Sequence, residues 1–173
     1  MEESIFTKII KGEIPSNKVY EDDKTFAFLD IHPLADGHTL VVPKTQVEFI
    51  WDLPAEDYQA LMTTVQKVGR RLRDVMDAPY VGVEVIGVDV PHAHVHVVPF
   101  TTTDELRRKV GDDEPDYDKL ARLAEKIRFD ADVNASTDVG SDSGTGANAS
   151  TDANDGTSTN LNSNTAPQNE NHQ

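Results

Sequence analysis

The sequence contains no cysteine, so it has neither a disulfide framework nor thiolate chemistry, and that lack fits a reducing compartment. It is also short of positive charge: 16 Lys and Arg stand against 31 Asp and Glu, a formal net charge of −15. Such an acidic chain argues against broad binding to nucleic-acid backbones or anionic membranes, while leaving room for a small basic pocket that holds one phosphate. No stretch approaches the roughly 20 apolar residues of a membrane span, and Met1–Phe6 lacks the basic and apolar regions of a signal peptide. The expected setting is cytoplasmic and soluble. One segment lacks nearly everything a core needs. Residues 130–173 contain no Lys, Arg, Phe, Tyr or Trp and consist mostly of Asn, Ser, Thr, Asp, Gly and Ala, with seven of the acids. Their apolar surface is too small to offset the entropy of ordering, so they read as an acidic disordered tail on a domain spanning 1–129.

Within that domain the hydrophobic spacing predicts an α+β architecture with a mostly antiparallel sheet. Ser4 is placed to cap a two-turn helix over 5–11, ended by Gly12 and Pro15. Residues 18–21 and 25–29 read as strands joined by a polar turn, and 38–42 as a third strand stopped by Pro43. Leu61, Val65, Val68, Leu72, Val75 and Met76 recur every three or four residues, which predicts a long helix to about Met76 with Asp52 as its acidic cap candidate. Arg70, Arg71 and Arg73 near its end read as a solvated face that suits the helix dipole. Residues 80–86 and 88–99 read as a hairpin turning at Gly87, followed by a last amphipathic helix over about 116–128.

What the chain does have is His92-Ala93-His94-Val95-His96. Three of its six histidines fall within five residues. Side chains two apart on a strand share a face about 6.6–6.8 Å apart, so the three imidazoles line one surface while Ala93, Val95 and Val97 pack on the other. Three uses of such a cluster compete. An imidazole can attack phosphorus while its neighbours neutralise the phosphate oxygens. His-x-His on one strand can chelate zinc, although no cysteine and no second short motif of acids supplies further ligands. The rings can also be structural, satisfied by hydrogen bonds. His38, after Asp36-Gly37, and His32 in the loop before it are the candidate helpers.

The run His92-Ala-His94-Val-His96-Val-Val98 resembles the signature of the histidine triad (HIT) family of nucleotide hydrolases and transferases. The likeness extends to its Hint-like branch through Ser4-Ile-Phe-Thr-Lys-Ile-Ile-Lys-Gly-Glu-Ile-Pro15, Val19-Tyr-Glu-Asp22, Ala27-Phe-Leu-Asp30-Ile31 and Gly37-His-Thr-Leu-Val-Val-Pro-Lys44, and so covers about 4–100. The resemblance implies a sheet of about five strands with a long helix and a short N-terminal helix, extended across a two-fold homodimer. It implies His94 as nucleophile on the α-phosphorus of a purine nucleoside 5′-phosphate conjugate such as a phosphoramidate. A nucleotidyl-histidine would form and be hydrolysed, with no cofactor required and no metal. His92 would orient the nucleophile, His96 would contact a phosphate oxygen, and His38 would be the fourth histidine, hydrogen-bonded to His92. Asp30 would bind the ribose hydroxyls, while Phe28 or Leu29, with Ile31 and Ile10, would make the slot for the base. A dinucleoside polyphosphate hydrolase and a nucleotide-binding regulatory module are the alternatives.

One stretch departs from the family pattern. Where Hint-like members carry Gly-Gln/Asn-Ser/Thr-Val, this chain has Gly87-Val88-Asp89-Val90. Val88 has no side-chain amide to offer a phosphate. Asp89 stands where a hydroxyl approaches the phosphate or the leaving group, which makes it a candidate leaving-group acid.

Overall fold

Residues 18–21 and 25–29 flank the polar turn Asp22-Asp23-Lys24, and in the computed structural model, which describes residues 2–107 and 114–131, they form the expected hairpin. Strands β1 (Lys18–Glu21) and β2 (Thr25–Leu29) are antiparallel, and β2 pairs in turn with β3 (Thr39–Pro43). The chain then crosses the sheet in helix α2 (Ala55–Val75) and returns through β4 (Tyr80–Glu84) and β5 (Val95–Phe100). The result is a five-stranded antiparallel sheet in the order β1-β2-β3-β5-β4, with β5 inserted between β3 and the edge strand β4. The N-terminal helix α1 (Ile5–Ile10), a short α3 (Thr103–Leu106) and α4 (Tyr117–Ile127) complete the described elements. None of the described helices is long and apolar enough to cross a membrane.

The period-two pattern sends alternate residues to opposite faces of the sheet. One face, with Ala27, Leu29, Val41, Val95 and Val97, forms a continuous core with Leu61, Val65, Val68 and Leu72 of α2 and Leu120, Ala124 and Ile127 of α4. On the other face Phe26, Phe28, Leu40 and Val42 form a smaller cluster with Phe6, Ile9 and Ile10 of α1. Ser4 caps α1 as expected, accepting a hydrogen bond from Thr7 N at 3.1 Å. The helix ends one residue early, at Ile10, with Gly12 at φ +77° beyond it.

Four expectations need correction. The histidine strand does not run from Val88: β5 begins at Val95, β4 ends at Glu84, and a ten-residue connection replaces the tight turn at Gly87. Pro91 has no N–H, while the N–H groups of His92 and Ala93 donate to Val90 O (2.8 Å) and Val47 O (2.6 Å), so none is left for the ladder. Ala93 nevertheless packs in the core beside Val95 and Val97, so the alternation continues past the ladder's end. Asp52 does not cap α2; it closes a single 3-10 turn at Ile50–Asp52, and α2 starts after Pro54 with Glu56 and Asp57 in its first turn. Pro43 does not lie just past β3 but is its last residue, the strand running from Thr39 rather than His38, and it stands opposite Thr25 and past the last β5 pair at Val41. Arg71 is not merely solvated: its guanidinium donates to Ile127 O (2.8 Å) and Lys126 O (3.0 Å), satisfying carbonyls at the end of α4. Apart from its first two residues, the tail expected over 130–173 lies outside the described residues.

Candidate active site

The three histidines reach the α1 face of the sheet because Ala93, Val95 and Val97 occupy the core face. His94 is edge-on to Phe6 at 5.1 Å and to His96 at 5.0 Å between ring centroids, and Phe6 also meets His92 at 5.9 Å. Phe6 thus sits in the middle of the site, a residue that the sequence reading placed only in a helix. Its position one turn before Ile9 and Ile10 was the available signal.

Proton positions follow from the partners. His92 O can only accept, so His94 Nδ1, 2.7 Å away, carries a hydrogen and donates to it. In the neutral ring Nε2 then holds a lone pair. Among the described residues no buried side-chain nitrogen or oxygen lacks a partner, so this Nε2, which forms no hydrogen bond, reaches solvent although His94 is only 6% exposed. Leu34 N donates to His38 Nδ1 at 3.2 Å, which makes that nitrogen the acceptor and leaves the hydrogen on Nε2. His38 Nε2 in turn donates to His96 Nδ1 at 3.0 Å. The neutral His96 ring therefore carries its hydrogen on Nε2. A lone pair on His94 and an N–H on His96 stand side by side.

His38 does not bond to His92, as the family likeness implied, but to His96. The register explains why: Leu40 lies opposite His96, so His38, two residues earlier on the same face, is its diagonal neighbour, whereas His92 lies beyond the ladder. Gly37, at φ +89°, makes the turn that delivers His38, and a Cβ there would stand 3.2 Å from side-chain atoms of Met76 and Pro99.

Burial sets the electrostatics. It pushes His38 down to about 4, and it pushes His96 to about 4 as well, with the facing His38 and His94 adding to the effect and Asp30 opposing it. Burial lowers His92 too, against the Pro43 carbonyl, which favours its charged form. Asp30 is raised by burial, a shift opposed by the His32 N–H and the nearby rings. At neutral pH the 3.6 Å approach of Asp30 to His38 Nδ1 is accordingly not an ion pair. Asp30 is half-buried, accepts from His32 N at 2.9 Å, and is held at the mouth of the β2–β3 loop by its own N–H to His38 O at 3.0 Å. One ligand atom each from Asp30, His38 and His96 lies within 4.8 Å of the others, a set that could hold a cation only by giving up the bond between the two rings.

The remaining site candidates separate. Phe28 and Ile10 share the small aromatic cluster below the histidines, and Ile31 is exposed beside Asp30. Leu29 points to the opposite face, into the α2 core and toward a cavity of about 380 Å³ that Ile31, Leu34, His38 and Lys119 also border, so it is not in the Phe28 cluster. His32 donates its N–H to Asp30 and joins no ring cluster among the described residues. Asp89 is exposed and forms no hydrogen bond or ion pair among the described residues, and Val88 is 83% exposed.

Fold and site together define a histidine-triad protein, and comparison with known families agrees: the HIT domain model matches residues 11–103. This chain belongs to the HIT family. It is 35% identical over 135 residues to the adenosine 5′-monophosphoramidase HNT1 of Candida albicans, covering 72% of this chain and 88% of that protein. It is 37% identical over 107 residues to the purine nucleoside phosphoramidase of Escherichia coli, covering 56% of this chain and 87% of the other. Among solved structures it resembles a Hit-like protein involved in cell-cycle regulation from Bartonella henselae, crystallised with an unknown ligand, at TM-score 0.63 and 33% identity over 73% of this chain and 95% of that one.

Proposed function

We propose that this protein hydrolyses purine nucleoside 5′-phosphoramidates and related mononucleotide conjugates through a nucleotidyl-histidine intermediate. The observation that carries the reading is the pair of opposite tautomers: His94 Nε2 offers a lone pair, and His96 Nε2–H faces the same side of the sheet. His94 attacks the α-phosphorus, the P–N bond breaks, and the amine leaves with a proton. The His96 N–H stabilises the charge gathering on a non-bridging oxygen. Water then releases the nucleoside monophosphate and restores His94. Asp30 accepts hydrogen bonds from the ribose hydroxyls, Phe28, Ile10 and Ile31 hold the base, and Asp89 is the candidate proton source for the leaving group. No cofactor or metal enters this scheme. The relatives named as phosphoramidases support the substrate class. The edge strand β4, with Val83 exposed on it and Val85 and Ile86 exposed just beyond its end, supports extension of the sheet by a second copy, a homodimer.

Rapid-quench turnover of adenosine 5′-phosphoramidate tests the reading. The expected result is an acid-labile adenylyl adduct that is absent in His94→Ala and insensitive to chelators. Nucleotide binding with neither adduct nor turnover would overturn it in favour of a binding module, and activity abolished by chelation would move the chemistry to a metal. Faster turnover of dinucleoside polyphosphates would replace the substrate class.

A further inference from the structure

Ser4 serves as a helix cap, yet its hydroxyl and the side chains of Thr7 and Gln46 converge on the ring of His92, 88 residues away in sequence. His92 Nε2 lies 2.8 Å from Pro43 O, a group with no proton to give, so Nε2 carries the hydrogen and Nδ1 must receive one. Ser4 Oγ, 2.7 Å from Nδ1, supplies it. Thr7 Oγ1 lies 3.1 Å from Ser4 Oγ and 3.4 Å from His92 Nδ1, and it donates to Gln46 Oε1 at 2.5 Å. Gln46 Oε1 also accepts from Ser4 N at 3.0 Å, and its amide nitrogen donates to Glu2 O at 2.8 Å. The ring is thus held at both nitrogens, in a site where it is 0% exposed and no water competes.

What this ring carries is the carbonyl that fixes the nucleophile. His92 O accepts from His94 Nδ1–H, and that bond alone determines which nitrogen of His94 keeps its lone pair. We propose that Ser4, Thr7 and Gln46 are positioning residues. Ser4 Oγ–H holds the His92 ring directly, and Gln46 Oε1, which accepts from both Ser4 N and Thr7 Oγ1, fixes Ser4 at the start of α1; together they lock the ring, hence its carbonyl, hence the reactive tautomer of His94. Docking of α1 and readiness of the nucleophile become one event. The Ser4 proton can also turn from His92 to Thr7 Oγ1, which would let Ser4 accept from a protonated His92 with no movement of heavy atoms. These contacts therefore hold the ring in place in either charge state.

The kinetic arm of the test rests on the phosphoramidate reading, but the spectroscopic arm does not. In the full-length protein, Ser4→Ala is expected to lower kcat for adenosine 5′-phosphoramidate about 10- to 100-fold with KM within about threefold. Ser4→Thr, which keeps both hydroxyl and cap, should recover to within about threefold of wild type. Thr7→Val leaves the Ser4 cap in place and should lower kcat by about three- to tenfold. Nitrogen-15 NMR of the imidazoles at neutral pH should show His94 as the Nδ1–H tautomer and His92 as the Nε2–H tautomer in wild type, with His94 becoming a mixture in Ser4→Ala and in Thr7→Val. Wild-type kcat and an unchanged His94 tautomer in folded Ser4→Ala, with only a lower Tm, would overturn the proposal and leave these contacts a structural tie. If Ser4→Ala does not fold, Thr7→Val decides by the same two readouts. If wild type does not turn over the phosphoramidate, the functional reading falls, and the tautomers alone decide this one.

Discussion

The two faces of the sheet are built differently from the same alternating strands. Under α2 and α4 the buried core is mainly apolar, helix α2 alone contributing Leu61, Val65, Val68 and Leu72, and the polar Thr25 and Thr64 buried there share a hydrogen bond of 2.8 Å. Under α1 a six-residue helix covers a handful of aromatic and aliphatic side chains, and beside them lie four histidines joined to one another or to main-chain carbonyls. The first face supplies stability by area removed from water, about 25 cal/mol per Å². The second contains His38, His92 and His96, whose charged forms burial disfavours, so it gives up some of that stability to keep those rings neutral. Substitutions should therefore sort by face: those on the α2 side should move stability, and those on the α1 side should move turnover.

The largest effect that this division predicts is on activity without a change of fold. His94→Ala should reduce kcat/KM for adenosine 5′-phosphoramidate by on the order of a thousandfold or more while leaving the unfolding midpoint in denaturant nearly unchanged. Loss of the cooperative transition in this variant would show that the α1 face is structural after all. The converse is Leu61→Ala on the opposite face, where a fully buried side chain leaves a cavity. Stability measured by urea unfolding should fall by about 2–5 kcal/mol, with KM for the folded fraction unchanged. A changed KM would mean that the two faces are coupled.

A third prediction sharpens the contrast through pH. In the unfolded chain His38 and His96 take up protons near 6.5, and in the folded chain only near 4. Between these values the unfolded state binds more protons, so stability rises with pH through that window and is lost as pH falls from about 6.5 toward 4. The two rings share a hydrogen bond and titrate as a pair, and the joint effect is on the order of a few kcal/mol. Thermal unfolding from pH 7 to 4.5 should show Tm falling with acidity, and His38→Asn should flatten that slope. The carboxylates of Glu21, Asp22 and Asp57, held below their usual values, act in the same direction but only at lower pH, so the window tells the two sources apart. An unchanged slope in His38→Asn would place the acid sensitivity elsewhere.

The same division explains what was legible in the sequence. The α2 core is written in local periodicity, 3.6 for Leu61 to Leu72 and 2 for the strands, and apart from the start of β5 those elements fall within a residue or two of expectation. The histidine face was legible in composition and order but not in its connections. That His38 meets His96 rather than His92 depends on the β3–β5 register, and that Ser4 meets His92 depends on where α1 lies. Neither contact leaves a local trace. The start of β5 was misplaced for a related reason: Val88 and Val90 look like strand residues, but Pro91 and the bond from Ala93 N to Val47 O divert the backbone. Phe6 and Gln46 entered the site unannounced, because a residue's role there comes from its neighbours across the sheet.

The smallest predicted effect tests how little the mainly apolar face depends on the polar contacts at its rim. Arg71 sits near the end of α2, and its guanidinium closes carbonyls of α4 from Lys126 to Arg128. These bonds run from a charged donor to carbonyls that the helix cannot satisfy itself, but they are partly exposed, so their net value is about 1 kcal/mol. Arg71→Met keeps the aliphatic stem over the α2–α4 contact and removes only the donors. The expected outcome is a fall in unfolding free energy of about 1 kcal/mol, with kcat and KM unchanged because no atom of Arg71 reaches the histidine face. A loss several times larger would mean that α4 is held on the sheet by these hydrogen bonds rather than by Leu120, Ala124 and Ile127, and the contrast between an apolar face and a polar one would have to be redrawn.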